Sequence, residues 1–276
     1  MDRLRVATLN LWNKSGPWQK RMPIVAAEVD RLAPDLLGLQ EVLCLETPKG
    51  AQNQATEVAG GRHWVYGEGH DLTRDWVPSG HRMTFGNALV SPHPIREHRT
   101  HPLPGADISD QQRSVLHAVV EAPLGPVDVF VTHLNWKLDE GHVRVQQVKA
   151  LASLIAAEAP ADGRYPPILM GDLNAEPESD EIRYLLGYTT LGEPESVRFA
   201  DVWQYAEPQP SVTFDGQTNP FASEHHEPPR RIDYILVRGP SFDGHGRPVA
   251  VQRVFDQAVD GIHPSDHYGV MADLTP

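Results

Sequence analysis

Leu4, Val6, Thr8 and Asn10 alternate with Arg5, Ala7, Leu9 and Leu11, the period-two pattern of a strand. In "QKRMPIVAAEVDRLAP", Met22, Val25, Val29 and Leu32 then fall at helical spacing, and Pro34 marks the end. "DLLGLQEV" (Asp35 to Val42) is a short apolar run that predicts a strand ending at Gln40 and Glu41. Residues 50–61 predict a small helix, "HWVYGEG" a strand, and the polar stretch from His70 to His81 a loop. "MTFGNALVS", "VLHAVVEA" and "PVDVFVTHL" predict three strands, the last two a hairpin through Pro123-Leu124-Gly125-Pro126.

From Asp139 to Ala159 the pattern is helical, with Val148, Leu151 and Ile155 on one stripe. "ILMGD" reads as a buried strand, followed by a short helix near Asp180 to Leu186 and a poorly patterned stretch to about Arg230. "RRIDYILVRG", "VAVQRVFD" and "SDHYGVMADL" supply three more strands. Strands outnumber helices, arrive in hairpins and are interrupted by two good helices. That predicts an α+β layered sandwich rather than a doubly wound sheet. The order strand, helix, strand, hairpin recurs loosely in the second half. No Ser/Gly linker divides the chain, so residues 1–276 are expected to form a single domain.

The polar residues inside this apolar pattern carry the chemistry. In "PPILMGDLNAEPES" the strand ends in Asp172 and Asn174, which alternation places on one side with Leu173 opposite. An Asx-rich turn is the plain alternative. Yet Asn10 ends the first strand and Glu41 the second, His133 and Asn135 end "VFVTHLN", Asp233 lies inside "RIDYILV", and Asp266-His267 open the last strand. A buried carboxylate is costly unless paired or liganded. Repetition over six strands argues for a shared polar centre. Carboxylates and amides with few histidines and no Cys-His cluster favour Mg²⁺, Mn²⁺ or Ca²⁺ over zinc. His beside Asp supplies a general base or an electrostatic clamp. Phosphoester hydrolysis needs an activated water, charge neutralisation and help for the leaving group, and these residue types meet all three needs. Neither G-x-S-x-G nor G-x-x-x-x-G-K-[ST] occurs, which counts against a serine hydrolase or a P-loop enzyme.

Net charge sharpens the picture. The formal value of −13, with only 5 lysines among 24 basic residues, opposes indiscriminate adhesion to nucleic acid or anionic membrane. One cysteine, Cys44, excludes an intrachain disulfide; beside Val42-Leu43 it reads as a small core residue. "MDRLRVATLNLW" lacks the apolar run of a signal peptide, and no stretch predicts a transmembrane segment. A cytoplasmic location is expected, with secretion left open.

"TLNLW", "LQEV", "GNALVS", "VTHLN", "GDLNAEP", "RIDYILV" and "SDHYGV", in that order, resemble the endonuclease/exonuclease/phosphatase superfamily, over residues 4–274. The resemblance implies a four-layer α/β/β/α sandwich, two packed sheets flanked by helices, with the site at one edge. It implies Glu41 as the main metal ligand, Asn10 beside it, and Asp266 ligating or organising Mg²⁺ or Mn²⁺. Asp172 would polarise the attacking water, Asn174 would hold a phosphate oxygen, and His267, oriented by Asp233, would contact the phosphate or act as base. His133 would be a second catalytic histidine near the leaving group, as in pancreatic-type deoxyribonucleases and neutral sphingomyelinases. Arg113 matches an arginine that often reaches the phosphate; a surface arginine before a strand is an equal alternative. The deoxyribonuclease-like enzymes pair the His133 equivalent with a glutamate, and "SGHRMTFGN" has no carboxylate for that part.

The superfamily cleaves DNA, RNA, inositol phosphates and sphingomyelin with nearly one centre, so specificity lies in loops. The acid excess favours a lipid headgroup or small phosphoester. A metal-dependent DNA or RNA nuclease is the alternative, and a non-catalytic binding relative a further one. "HPIREHRTH" is a phosphate-tracking surface or a solvated strand edge; the His225-His226 pair is a metal site or an exposed loop. Trp12 and Trp136 are candidates to line a substrate pocket; Trp18, Trp76 and Trp203 are core or rim candidates. The pattern assigns no oligomeric state.

Overall fold

Two parallel strand pairs, each closed by a helix, set the frame. β1 (Leu4–Asn10) and β2 (Leu36–Thr47) are parallel and joined by α1 (Trp18–Leu32). β8 (Gly125–His133) and β9 (Ile168–Asp172) are parallel and joined by α4 (Gly141–Glu158). The loose recurrence in the sequence is this strand–helix–strand unit, once per sheet. The structure is a computed structural model and describes residues 3–73, 77–159, 165–189, 198–205, 211–222, 227–239 and 243–276.

The first sheet has the order β12-β13-β1-β2-β5-β4, with β3 paired to β2. Its further strands are β3 (Gly50–Asn53), β4 (His63–Asp71), β5 (Arg82–Ser91), β12 (Pro248–Val254) and β13 (Gly269–Leu274). The second has the order β10-β11-β9-β8-β7-β6, adding β6 (Ile95–Pro102), β7 (Ser114–Ala122), β10 (Phe199–Asp201) and β11 (Asp233–Arg238). Three short α-helices, α2 (Ala55–Ala59), α3 (Ala106–Ser109) and α5 (Asp180–Leu185), and two 3₁₀ turns, Val202–Tyr205 and Pro220–Ala222, complete the described elements.

Three apolar clusters separate four layers, the α/β/β/α sandwich that the resemblance implies. Met22, Val25, Val29 and Leu32 of α1 pack with Ala7, Leu9, Leu37 and Leu39 on the outer face of the first sheet. Val6, Leu36 and Leu89 meet Leu116, Val131 and Met170 between the sheets. Val148, Leu151 and Ile155 of α4 cover Phe130, Leu169 and Leu236 on the outer face of the second. Burying both faces of each sheet explains why its strands read as near-continuous apolar runs. The sheets approach so closely that a Cβ at Gly38 would lie 2.5 Å from Met170 Sδ. Cys44 is buried and free, as expected of a small core residue. Among the described residues no helix is long and apolar enough to cross a membrane.

Four boundaries differ from the sequence pattern. β2 does not end at Glu41 but passes through a bulge between Leu39 and Val42, where Glu41 takes φ +56°, and runs on to Thr47. The first part of the segment expected as a helix, Gly50–Asn53, is instead a strand, because a turn after Thr47 folds it back onto Cys44–Thr47. β4 reaches Asp71 through a second bulge between Glu68 and His70, shortening the expected loop. Asp266 and His267 precede β13 rather than open it.

Candidate active site

Strand register assembles the site. The parallel pairing of β1 with β2 sets Asn10, at the carboxyl end of β1, beside Gln40 in the middle of β2, with Glu41 next in the bulge. In the second sheet His133 is opposite Asp172, and Asp172 is opposite Asp233. The bulge reverses the inward parity of β2: Leu36 faces the second sheet before it, whereas Val42 faces α1 after it. Glu41 and Leu43 therefore both turn toward the edge of the sandwich. There, Glu41, Arg113, His133, Asp172, Asn174, Asp266 and His267 line one cavity of about 630 Å³. Asn10 and Asp233 are buried directly behind this wall.

Gly171 explains the local sequence "MGDLN". It has φ +144°, and a Cβ there would fall 1.9 Å from Thr132 O, so only glycine lets β9 lie against β8 just before Asp172. Asp172 and Asn174 share a side, but a turn rather than strand alternation puts them there: β9 stops at Asp172 and Asn174 takes φ +48°. The Asn174 N–H donates to Asp172 Oδ1 at 2.9 Å and the Asn174 side-chain amide to Leu134 O at 3.2 Å.

Asp172 Oδ2 is the hub of the cluster. It accepts from Asn10 Nδ2 at 3.0 Å and stands 3.5 Å from His133 Nε2 and 3.7 Å from His267 Nε2. Burial, then the neighbouring Asp233 charge, push the Asp172 carboxyl up to about 6. The two histidines are driven apart. Burial, helped by Arg113 and His267, holds His133 well below the usual imidazole range, so it is neutral near pH 7. Burial acts in the same sense on His267, but Asp233, Asp266 and Asp172 together outweigh it and hold the ring well above that range. Asp233 Oδ2 fixes His267 Nδ1 at 2.9 Å. One neutral and one cationic imidazole thus flank one carboxylate, which separates base from acid.

Glu41 and Asp266 form the second acidic part. Glu41 is held by neutral amides, Asn10 Nδ2 at 3.4 Å and Asn13 Nδ2 at 2.9 Å, and Asp266 accepts from Ser265 Oγ at 3.1 Å. Burial and the Glu41 charge push Asp266 up to about 7, partly relieved by His267 and Arg21. Two hard carboxylates facing one cavity and repelling one another suit a hard divalent cation, which would offset that repulsion. Asn10, expected beside Glu41 at the metal site, bonds Glu41 and Asp172 from behind the cavity wall. Its carbonyl Oδ1 accepts from the Trp12 N–H at 2.9 Å, and only its amide nitrogen faces the carboxylates. Asp172, Asp233 and His267 also bring ligand atoms within 4.8 Å of one another. Within that trio Asp233 Oδ2 is bonded to His267 and Asp172 accepts from Asn10 Nδ2 and the Asn174 N–H, while Asp233 Oδ1 is buried without a partner among the described residues.

Arg113 is buried in the cavity wall, not exposed, with Nη2 donating to Gln111 Oε1 at 3.0 Å and Nε unpartnered among the described residues. Burial lowers it to about 10, against the pull of Glu41 and Asp172. His133 Nδ1 is buried and likewise has no partner, in keeping with the lack of a carboxylate in "SGHRMTFGN"; Phe85 lies beside its ring at 6.0 Å. Asn135 is outside the cavity and structural: it bonds Glu140, the Lys137 N–H and, through its own N–H, Gln147. Trp12 and Trp136 line the cavity, Trp18 stacks under Lys14 and Trp203 is buried in the core between the sheets. "HPIREHRTH" is the exposed edge strand β6 and is absent from the cavity wall. Trp76 and the His225-His226 pair lie outside the described residues.

Sequence reasoning missed Asn13 and Arg21. Asn13 sits in the turn after β1, where polar residues are common and give no signal. Arg21 carried one: it continues the Val25-Val29 stripe of α1 inward, where a charge needs many partners. Its guanidinium donates to the backbone carbonyls of Leu11, Trp12, Asn13, Ser15 and Pro264, tying the loop after β1 to the segment before Asp266.

A family model described as "Endonuclease/Exonuclease/phosphatase family" matches residues 7–267. Among solved structures, the chain is similar to an endonuclease/exonuclease/phosphatase from Beutenbergia cavernae DSM 12333, at 25% identity and TM-score 0.68, covering all of this chain and 72% of that one. It is similar to a functionally unknown conserved protein from Enterococcus faecalis V583, at 19% identity and TM-score 0.73 over 99% of both chains. It is also similar to D. rerio TDP2 complexed with single strand DNA product, at 19% identity and TM-score 0.72 over 100% of both. At such identities the last two show a common fold. No curated protein matches.

Proposed function

The chain belongs to the endonuclease/exonuclease/phosphatase family, and from that premise we propose that it is a divalent-metal-dependent phosphoesterase acting on a small phosphodiester or phosphomonoester through an activated water. Members of the family are in general metal-dependent hydrolases of phosphoesters. The observation that carries the reading is Asp172 Oδ2, set 3.5 Å and 3.7 Å from two imidazoles of opposite protonation in one cavity.

In this reading Asp172, its carboxyl pushed up to about 6, takes a proton from the attacking water; a base near the working pH is effective in that role. His267, kept cationic by Asp233, donates to a non-bridging phosphate oxygen and offsets its charge. The Asn174 amide and Arg113 position the other phosphate oxygens. His133, neutral and with no partner on Nδ1 among the described residues, is left to serve the departing alcohol. Glu41 and Asp266 would hold the cation, Mg²⁺ or Mn²⁺, with Asn10 and Asn13 fixing Glu41. A hard cation, when bound, neutralises phosphate charge and lowers the pKa of bound water. We place the protein in a reducing compartment such as the cytoplasm, in keeping with its single buried thiol.

A single panel tests the reading: plasmid DNA, single-stranded RNA, sphingomyelin micelles, inositol phosphates and bis-(p-nitrophenyl) phosphate, with Mg²⁺ or Mn²⁺ and with EDTA. Turnover of a small ester that EDTA and Asp172→Ala both abolish supports it. Preferential cleavage of DNA or RNA makes the protein a nuclease. Silence on every substrate overturns catalysis and leaves a binding relative of the fold.

A further inference from the structure

The first sheet is longer than the second at the site. Gly67 and Asn87 still lie over β7: a Cβ at Gly67 would touch Leu116 at 3.0 Å, and Asn87 Nδ2 donates to Ser114 O at 3.1 Å. Ser114 is the first residue of β7, whereas β5 continues outward to Arg82 and β2 to Thr47. The inward side chains on that overhang are mostly apolar, with His70, which pairs with Phe85 and accepts from the Gln112 N–H, among them. Leu43 pairs with Phe85, Met83 lies two residues further on the same face, and the Leu72 N–H bonds Met83 O at 2.8 Å. With no second sheet beneath them, these residues join none of the core clusters; they are half-buried and line the cavity that holds Asp172 and His267. The shelf begins beside the reacting groups, with Phe85 6.0 Å from His133 and 5.9 Å from the Arg113 guanidinium.

The cationic content of the same wall is small and already engaged. Lys14 stands 4.4 Å over Trp18, Arg230 is paired with Glu227, and Arg113 is buried against Gln111. A polymeric phosphate backbone calls for a row of available cations; beyond His267 and Arg113, which serve the one phosphate at the centre, the described residues of this wall add only Lys14 and Arg230, both already engaged.

We propose that the shelf of Leu43, Leu72, Met83 and Phe85 is the subsite for the organic group of the substrate, so that the preferred ligand is a small phosphoester of an apolar alkyl or aryl alcohol. The proposal rests on the phosphoesterase reading for the place of the phosphate, and on the overhang for the rest. An apolar group seated there leaves water with its surface, and each methylene buried strengthens binding by up to about fourfold. Monomeric esters and lipid head groups share this chemistry; a shelf that lines the same cavity as Asp172 and His267 fits the monomer.

Calorimetric titration with methyl, butyl and phenyl phosphate, in Mg²⁺, tests the subsite without requiring turnover. Butyl and phenyl phosphate are expected to bind at least about tenfold more tightly than methyl phosphate, and Leu43→Ser or Met83→Ser to erase most of that gain. Equal affinity of all three esters for the wild type overturns the proposal whether or not the variants fold. A tenfold gain with no hydrolysis of any ester leaves the subsite standing and removes the catalytic reading instead. Binding to phosphatidylcholine vesicles without a chain-length gain among the monomers overturns the commitment to a monomeric ester.

Discussion

Asp233 Oδ2 lies 2.9 Å from His267 Nδ1, and both side chains are buried. The bond fixes which edge of the imidazole looks into the cavity, and the Asp233 charge helps to keep the ring protonated there. Asp233→Asn preserves shape and removes the charge. It is expected to lower kcat on a phosphodiester by about 10²-fold while the thermal transition stays close to that of the wild type. Steady-state rates of the two proteins within about twofold of each other would show that His267 is held by other means.

Asp172 gives a pH dependence of stability whose sign is fixed. Its folded-state carboxyl is raised from 3.8 to about 6, so between those values the folded protein binds more protons than the unfolded chain. Stability from this group is therefore full below about pH 4 and is lost as pH rises through about 6. Asp172→Asn does not titrate. Measured in EDTA, the variant is expected to gain on the wild type by about 1–3 kcal/mol between pH 4 and pH 7, whatever constant offset the amide introduces. Denaturant melts across that range check it. A difference that stays flat would mean that Asp172 ionises in the folded protein as it does in water.

Much of this site is visible in the chain because strand ends are short-range signals. "VTHLN" and "GDLNAEP" each announce a strand and the polar residue that stops it, and register alone then sets His133 beside Asp172. What escapes the sequence is whatever depends on a break in periodicity. The pattern places Glu41 at a strand end because the bulge that turns it inward leaves no mark on the apolar run; β2 continues beyond it. Arg21 sits on the apolar stripe of α1, and its partners are carbonyls of residues as distant as Pro264, which no spacing rule relates to a helix.

The carboxylate pair predicts a metal dependence readable without turnover. Mg²⁺ or Mn²⁺ bound by Glu41 and Asp266 would bind the folded state alone, so at 100 times its dissociation constant it stabilises the protein by about 2.7 kcal/mol. Glu41→Gln keeps the hydrogen-bonding shape toward Asn10 and Asn13 while removing one charge. Addition of Mn²⁺ to EDTA-treated protein is expected to raise the melting temperature of the wild type by several degrees and to leave Glu41→Gln nearly unmoved. An equal rise in both proteins would place the ion elsewhere.

Arg21 provides the most severe structural test, since it is fully buried and its charge is spread over backbone carbonyls rather than a carboxylate. Burial lowers its guanidinium to about 10, against the pull of Asp266 and then Glu41, so it stays charged at any physiological pH. Arg21→Met fills similar volume but strands the carbonyls of Leu11, Trp12, Asn13, Ser15 and Pro264, and the expected loss is about 3 kcal/mol or more. The loop it braces carries Asn13, which holds Glu41, and the segment it reaches leads to Asp266. Divalent-metal affinity is therefore expected to fall along with stability. Arg21→Lys, which keeps the charge but reaches fewer carbonyls, is expected to recover part of both. Isothermal titration with Mn²⁺ on each folded variant is the check: unchanged affinity in Arg21→Met would confine the arginine to the stability of the fold and separate it from the cavity.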